Sequence, residues 1–270
     1  RDPRVDQLRE YRRERREGGT IVIEEPGNRT IVRQGDRLII RHDDTDRFRR
    51  VYGRGEFRVD RRGSESYEIV QRPNGVEIVT VRDEDGRLLR RFRREQGGRE
   101  IVIIDNSRRP LRQGYFVDEV VDLPPVRLSI PRERYIVEAD DASEEELYEA
   151  FSAPPVERVA RAYSLDEVRQ SSQLRDRVRR VDVDTVTFAS GSWELPSNQI
   201  ARLRPVAVAI KRAIERDPTE VFLIEGHTDA VGSDVDNLSL SDRRAETVAT
   251  ILSEEFGVPA ENLTTQGYGE

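Results

Sequence analysis

The residues best equipped for chemistry gather late in the chain. The run Glu225-Gly226-His227-Thr228-Asp229-Ala230-Val231-Gly232-Ser233 combines an imidazole, carboxylates and glycines, and Asp234 and Asp236 follow at once. His227 with Asp229, Asp234 and Asp236 has the donor types of a metal site or a metal-dependent hydrolase. His227 precedes Asp229 by two residues, so on an extended chain both side chains share a face. A zinc set needs further nitrogen or sulfur donors. The chain has 2 histidines and 0 cysteines, which removes thiolate ligands, disulfides and cysteine nucleophiles. Ser190-Gly191-Ser192 offers a hydroxyl without a nearby base or an elbow pattern around it, and reads as a turn. Trp193, the 1 tryptophan of the chain, has a ring that stacks on sugars in other settings; covering the core beside the next helix is its expected role. No catalytic residue, metal or cofactor is assigned from these residues.

The elements that must position them follow a β-α-β-α-β order. Residues 181–188 alternate as a strand, and Ile200, Leu203, Val206, Ala207, Ile210 and Ile214 recur at helical spacing until Asp217-Pro218. Residues 221–224 read as a short buried strand. A helix is predicted over 239–256 with Leu240, Ala245, Val248, Ala249 and Leu252 inward, then Gly257-Val258-Pro259 and a strand over 263–266. Alternation of this kind predicts helices packed on one sheet, with ligands off the carboxyl ends of strands. The polar loop after Ile224 lies at such an end.

Gly226-His227-Thr228-Asp229, Gly232-Ser233, Asn237-Leu238-Ser239-Leu240-Ser241, Arg243-Arg244-Ala245 and Gly267-Tyr268-Gly269-Glu270 occur in an order that resembles the OmpA-like peptidoglycan-binding domain, across about residues 181–270. The resemblance implies a non-catalytic module of the periplasm, associated with the outer membrane, that grips the peptide stem of peptidoglycan at its diaminopimelate residue. In the family an aspartate after the second strand and an arginine on the next helix hold that residue, and these roles fall on Asp229 and Arg244. An aspartate suits the ligand's ammonium and a guanidinium fork its carboxylate. The resemblance gives Asn237 amide contacts and Thr228 a part in shaping the pocket. An arbitrary aspartate and arginine would form a surface ion pair worth about 0–1 kcal/mol; position within the motif favours ligand binding instead. Arg243 is expected to be solvated or fold-stabilising. Two departures stand out. Phe188-Ala189-Ser190 replaces the family's acidic or amide residue after the first-strand aromatic, and the sequence stops at Glu270, before the family's last helix and strand. The domain is therefore expected to lack its last strand.

Upstream, residues 1–18 read as a charged helix or tail with Val5, Leu8 and Tyr11 on a thin apolar stripe. Residues 19–106 form a β-strand repeat, with strands predicted at 20–23, 30–33, 38–41, 57–60, 67–70, 76–81, 88–93 and 100–104. Between them lie Pro26-Gly27-Asn28, Gln34-Gly35-Asp36, Pro73-Asn74-Gly75, Glu84-Asp85-Gly86 and Gln96-Gly97-Gly98, which supply the positive φ of tight hairpins. Apolar residues alternate with arginine or glutamate, predicting an antiparallel meander with one wet face. Residues 107–180 are a connector, proline-rich (Pro110, Pro124, Pro125, Pro131) and then helical. Ser143 with Glu146 and Ser164 with Glu167 have capping-box spacing, and a helix between them carries Val156, Val159, Ala160 and Tyr163. The fold class expected is α+β: meander, helical connector, and a C-terminal βαβαβ domain over 181–270.

Composition bounds the partners. Charged residues make up 37% of 270, against about 25% in an average chain, and the net charge is −7. That balance argues against nucleic-acid binding, and no apolar run is long enough to span a bilayer. The chain contains 0 methionines, so it reads as a piece of a longer protein, with any membrane contact expected only through a segment absent here. The whole reads as an envelope protein that binds peptidoglycan and ties the outer membrane or a periplasmic assembly to the wall. One alternative is a structural scaffold whose residues 19–106 bind an envelope protein partner. Another is a metal-dependent cell-wall hydrolase.

Overall fold

The computed structural model describes residues 4–53, 57–107, 121, 123–157, 161–229 and 231–270. The chain divides into two compact units, one comprising Arg1–Gly53, Thr187–Ala201 and Phe222–Glu270, the other Arg54–Val186 and Arg202–Val221.

The first unit begins with α1 (Val5–Leu8) and a 3-10 turn (Arg9–Tyr11). Instead of continuing as a helix, the charged segment then forms β1 (Arg13–Glu17), which pairs antiparallel with β2 (Thr20–Glu25) across a turn in which Gly18 has φ 60°. Ladder hydrogen bonds use only the backbone, so Arg-Glu-Arg-Arg-Glu makes a strand as readily as an apolar run when it sits at a wet edge, and its charges discourage further pairing. β3 (Arg29–Gln34) and β4 (Arg37–His42) complete a meander in the order β1-β2-β3-β4. The predicted turns close it: Gly27 and Asn28 have φ 82° and 54°, and Gly35 φ 59°. Then α2 (Thr45–Tyr52), not anticipated from the sequence, interrupts the strands and buries Arg47 and Phe48.

The second unit carries β5 (Phe57–Arg62), β6 (Glu65–Gln71), β7 (Glu77–Arg82), β8 (Leu88–Arg94) and β9 (Glu100–Asp105), again a sequential antiparallel meander. Ile69, Val79 and Phe92 lie opposite one another across three strands and form its core with Val81. The predicted repeat is therefore two sheets. Further on come α3 (Arg132–Tyr135), β10 (Ile136–Glu138), α4 (Glu144–Ser152), α5 (Leu165–Gln170), α6 (Ser172–Arg175) and β11 (Arg180–Asp182). Both capping boxes are present, at Ser143 with Glu146 and at Ser164 with Glu167. Pro110, Val159 and Ala160 lie outside the described residues. Of the strand expected over 181–188, only the start is extended; β11 pairs in parallel with β10, and a turn from Val183 to Val186 ends it.

The C-terminal third continues with α7 (Ser197–Ile200), α8 (Arg204–Arg216), β12 (Phe222–Gly226), α9 (Asp234–Glu254) and β13 (Leu263–Gly267), keeping the expected βαβαβ order. α8 packs on α4 within the second unit. In the first unit β12 and β13 pair in parallel, with Gly226 opposite Gly267. A Cβ on Gly226 would lie 2.0 Å from Ser241 O, and one on Gly267 2.4 Å from Asp242 N. The glycine pair therefore lets α9 sit directly on the strands.

Candidate functional site

The first unit brings the motif residues together around α9. Strand β12 ends at Gly226, and the loop after it is fastened to the chain terminus: Thr228 N donates to Gly269 O (2.7 Å) and Tyr268 N to Gly226 O (3.0 Å). His227 is exposed, stacks on Tyr268 with ring centroids 5.5 Å apart, and lies 3.2 Å from Glu225 through Nε2. It is a hydrogen-bonding loop residue. Ser233 caps α9 by accepting from Asp236 N. Asp229 stands exposed in this loop.

Arg244 projects from α9 toward the segment before α7. Its Nε donates to Ser192 O (3.0 Å), its Nη2 to Ala189 O (3.2 Å), and its guanidinium lies 5.0 Å from the centre of the Phe188 ring. Residues 188–192 thus form a cage of two carbonyls and one aromatic face. Burial lowers the Arg244 pKa, and the nearby charge of Asp229 acts against that shift. Asn237 is only 6% exposed, and its Oδ1 lies 3.4 Å from where a Gly232 Cβ would stand, so it braces the loop from within. Thr228 is half-buried, and its Oγ1 has no hydrogen-bond partner among the described residues.

Ser239, Asp242, Arg243 and Glu246 of α9 face the β1–β4 sheet, and the sheet's period explains which strand residues meet them. Ile23, Ile31 and Ile40 are aligned across β2, β3 and β4 and pack on Leu238. Two residues along each strand, on the same face, lies the row Glu25, Arg29 and His42, likewise in register. Glu25 accepts from Ser239 Oγ (2.6 Å) and pairs with Arg243 (3.3 Å), and Arg29 Nε pairs with Asp242 (3.0 Å). His42 Nδ1 lies 2.8 Å from Asp242 and Nε2 3.3 Å from Glu246, while Arg47 of α2 pairs with Glu246 (3.2 Å). Burial opposes the charge on His42, but Asp242 and Glu246 outweigh it and push the imidazole up to about 9. Asp242, though fully buried, is held far below the usual carboxylate range by His42 and Arg29. Burial, reinforced by Arg29, brings Arg243 down to about 10. His42, expected in a separate region, belongs to the same unit as α9, and the strand alternation read as a wet face is at this end an ion-pair interface. The visible signal was the polar residue at the end of each of β2, β3 and β4; its partners were invisible in a single strand. Arg243 also lies 4.8 Å from the centre of the Trp193 ring, so it is fold-stabilising rather than solvated.

The loop after β12 thus carries an exposed carboxylate and α9 a half-buried guanidinium, and α9 is fastened to the sheet by buried ion pairs. Comparisons with known proteins bear on the last third of the chain. The C-terminal third of the chain is OmpA-like: residues 187–270 match the model of the OmpA family. Outer membrane porin F of Pseudomonas aeruginosa is 37% identical over 93 residues, which is 34% of this chain and 25% of that protein. Outer-membrane lipoprotein YfiB of the same organism is 37% identical over 86 residues, 30% of this chain and 51% of that protein. Among solved structures, the OmpA-like domain of FopA1 from Francisella tularensis is similar at 20% identity and a TM-score of 0.27, over 31% of this chain and 54% of that one. The chain thus spans a quarter to about half of these two curated relatives. Among the described residues no helix is long and apolar enough to cross a membrane.

Proposed function

We propose that this protein is a non-catalytic component of the cell envelope whose C-terminal module, residues 181–270, binds the diaminopimelate-containing peptide stem of peptidoglycan. Asp229 takes the ammonium of the diaminopimelate end and Arg244 its carboxylate. Thr228 offers a hydroxyl at the rim, and Asn237 keeps the loop in shape. The observation that carries the reading is Arg244 itself: a half-buried guanidinium, caged by carbonyls and within the field of an exposed aspartate. A fork oriented in advance loses less entropy when it meets a carboxylate. The strand-rich residues 19–106 serve as spacer or docking surface, and the protein acts at the periplasmic side of the outer membrane, tethering it or a periplasmic assembly to the wall.

Co-sedimentation of the full chain with isolated peptidoglycan tests the reading. Wild type is expected to pellet with the wall, and an Asp229→Ala, Arg244→Ala double variant to stay in the supernatant. Undiminished binding by that folded variant would sink the site.

A further inference from the structure

The carbonyl cage around Arg244 is itself held from outside. Gly191 O, in the middle of the 189–192 turn, accepts from Val5 N (2.9 Å), and Arg4 forms an antiparallel bridge with Ser192. The turn is closed by Ser192 N to Ala189 O (3.0 Å), so the carbonyl that takes Arg244 Nη2 also closes the turn that Val5 grips. Ser192, whose carbonyl takes Arg244 Nε, is 2% exposed. The same segment reaches the other side of the site. Arg9 and Arg12 both pair with Asp236, at 2.5 and 2.7 Å, one residue before Asn237 at the start of α9. Arg12 also pairs with Glu25 (2.7 Å), which fixes the segment to the sheet. Residues 4–12 therefore touch both the turn that orients Arg244 and the helix that carries it.

We propose that this amino-terminal segment is a working part of the ligand site, with Val5 as a positioning residue: its amide fixes the 189–192 turn, whose carbonyls aim Arg244. The inference rests on the reading of Asp229 and Arg244 as the peptide-stem contacts. Nothing in the motif foretells it, because the segment lies almost two hundred residues upstream of the turn it holds. Its consequence is that wall affinity depends on whether residues 4–12 are docked, so displacing the segment lowers affinity without touching a ligand contact.

The backbone permits a narrow test. Val5 is the first residue of α1, where proline is well tolerated, and Arg4 has φ −125° and ψ 146°, the conformation favoured before proline. Val5→Pro thus removes the N–H that Gly191 O accepts and sets the ring Cδ against that carbonyl, releasing the segment from the turn without straining its own backbone; Val5→Ala keeps the N–H and serves as control. Binding of a diaminopimelate-containing tetrapeptide to the full chain is measured by calorimetry for wild type, Val5→Pro, Val5→Ala, Arg244→Lys and the Val5→Pro, Arg244→Lys pair. Expected are a loss of about fivefold or more for Val5→Pro, as the docked, binding-competent population falls, and near wild-type affinity for Val5→Ala. In the Arg244→Lys background, where a single ammonium cannot use the fork, Val5→Pro is expected to cost less than about twofold. Without ligand, Val5→Pro is expected to shift Trp193 emission, since Trp193 directly follows Ser192. A loss with Arg244→Lys but none with Val5→Pro, or an equal Val5→Pro loss in both backgrounds, overturns the inference and leaves the site reading standing. No loss with Arg244→Lys, together with undiminished wall binding by the double variant above, overturns the site reading and this inference with it. If Val5→Pro does not fold, amide exchange at Val5 in wild type decides: slowing by saturating tetrapeptide supports the docked segment, and an unchanged rate refutes it.

Discussion

Alkaline pH is expected to weaken the first unit through His42. The imidazole sits among Asp242 and Glu246 of α9, Arg29 of β3, Arg47 of α2 with its partner Asp44, and Thr265 of β13. Protonated, it bridges two carboxylates; neutral, it leaves the buried group one positive charge short. Its pKa is about 9 when folded, against an ordinary 6.5. Below about pH 6.5 both folded and unfolded chains hold this proton, and the stabilisation is complete. Between about 6.5 and 9 the unfolded chain gives the proton up while the folded one keeps it, so stability falls by about 1.4 kcal/mol per pH unit, roughly 3 kcal/mol in all. Asp242 and Glu246, whose pKa values are lowered, act in the opposite sense and only in acid, where their contribution is lost as pH falls. Urea denaturation followed by Trp193 fluorescence between about pH 6 and 9 follows the histidine, below the range in which Arg243 titrates. His42→Gln is expected to lose about 3–5 kcal/mol at pH 6, as for one partner removed from a buried pair, and to show a flat profile across this range. A wild-type profile as flat as that of His42→Gln would refute the charge network.

Two further changes test the packing. Gly226→Ala places a Cβ 2.0 Å from Ser241 O, backbone against backbone, and is expected to cost about 3 kcal/mol or more in chemical denaturation; a wild-type midpoint would mean that α9 does not rest on the glycine pair. Ser164→Ala is expected to cost about 1 kcal/mol and Ser143→Ala less, because the first capping box is partly buried and shields Glu167, while the second is exposed. Equal or reversed losses in the same assay would contradict this order.

Local rules carried much of the architecture. Glycine-marked turns bounded β2 to β4 and β6 to β9, and two Ser-x-x-Glu spacings placed two helix starts, because a positive φ or a capping bond is decided within four residues of chain. Segment β1, inside a stretch read as a charged helix or tail, gave no strand signal because its residues do not alternate apolar with polar, and α2 was missed because its buried arginine looks like solvent-facing charge. The motif named Asp229 and Arg244 from order alone, yet the cage of Ala189 and Ser192 carbonyls is made of backbone atoms, which leave no trace in residue type.

What the sequence determined by itself was the periodicity of most elements and the family likeness of the last third, from which the two charges of the proposed site follow. The tertiary structure alone decided their partners. Burial removes water as the competing partner, so Glu25, Arg29 and His42 must find α9 or go unpaired. Such pairing joins residues two hundred positions apart, and it turns a charged amino-terminal tail into the support of Arg244.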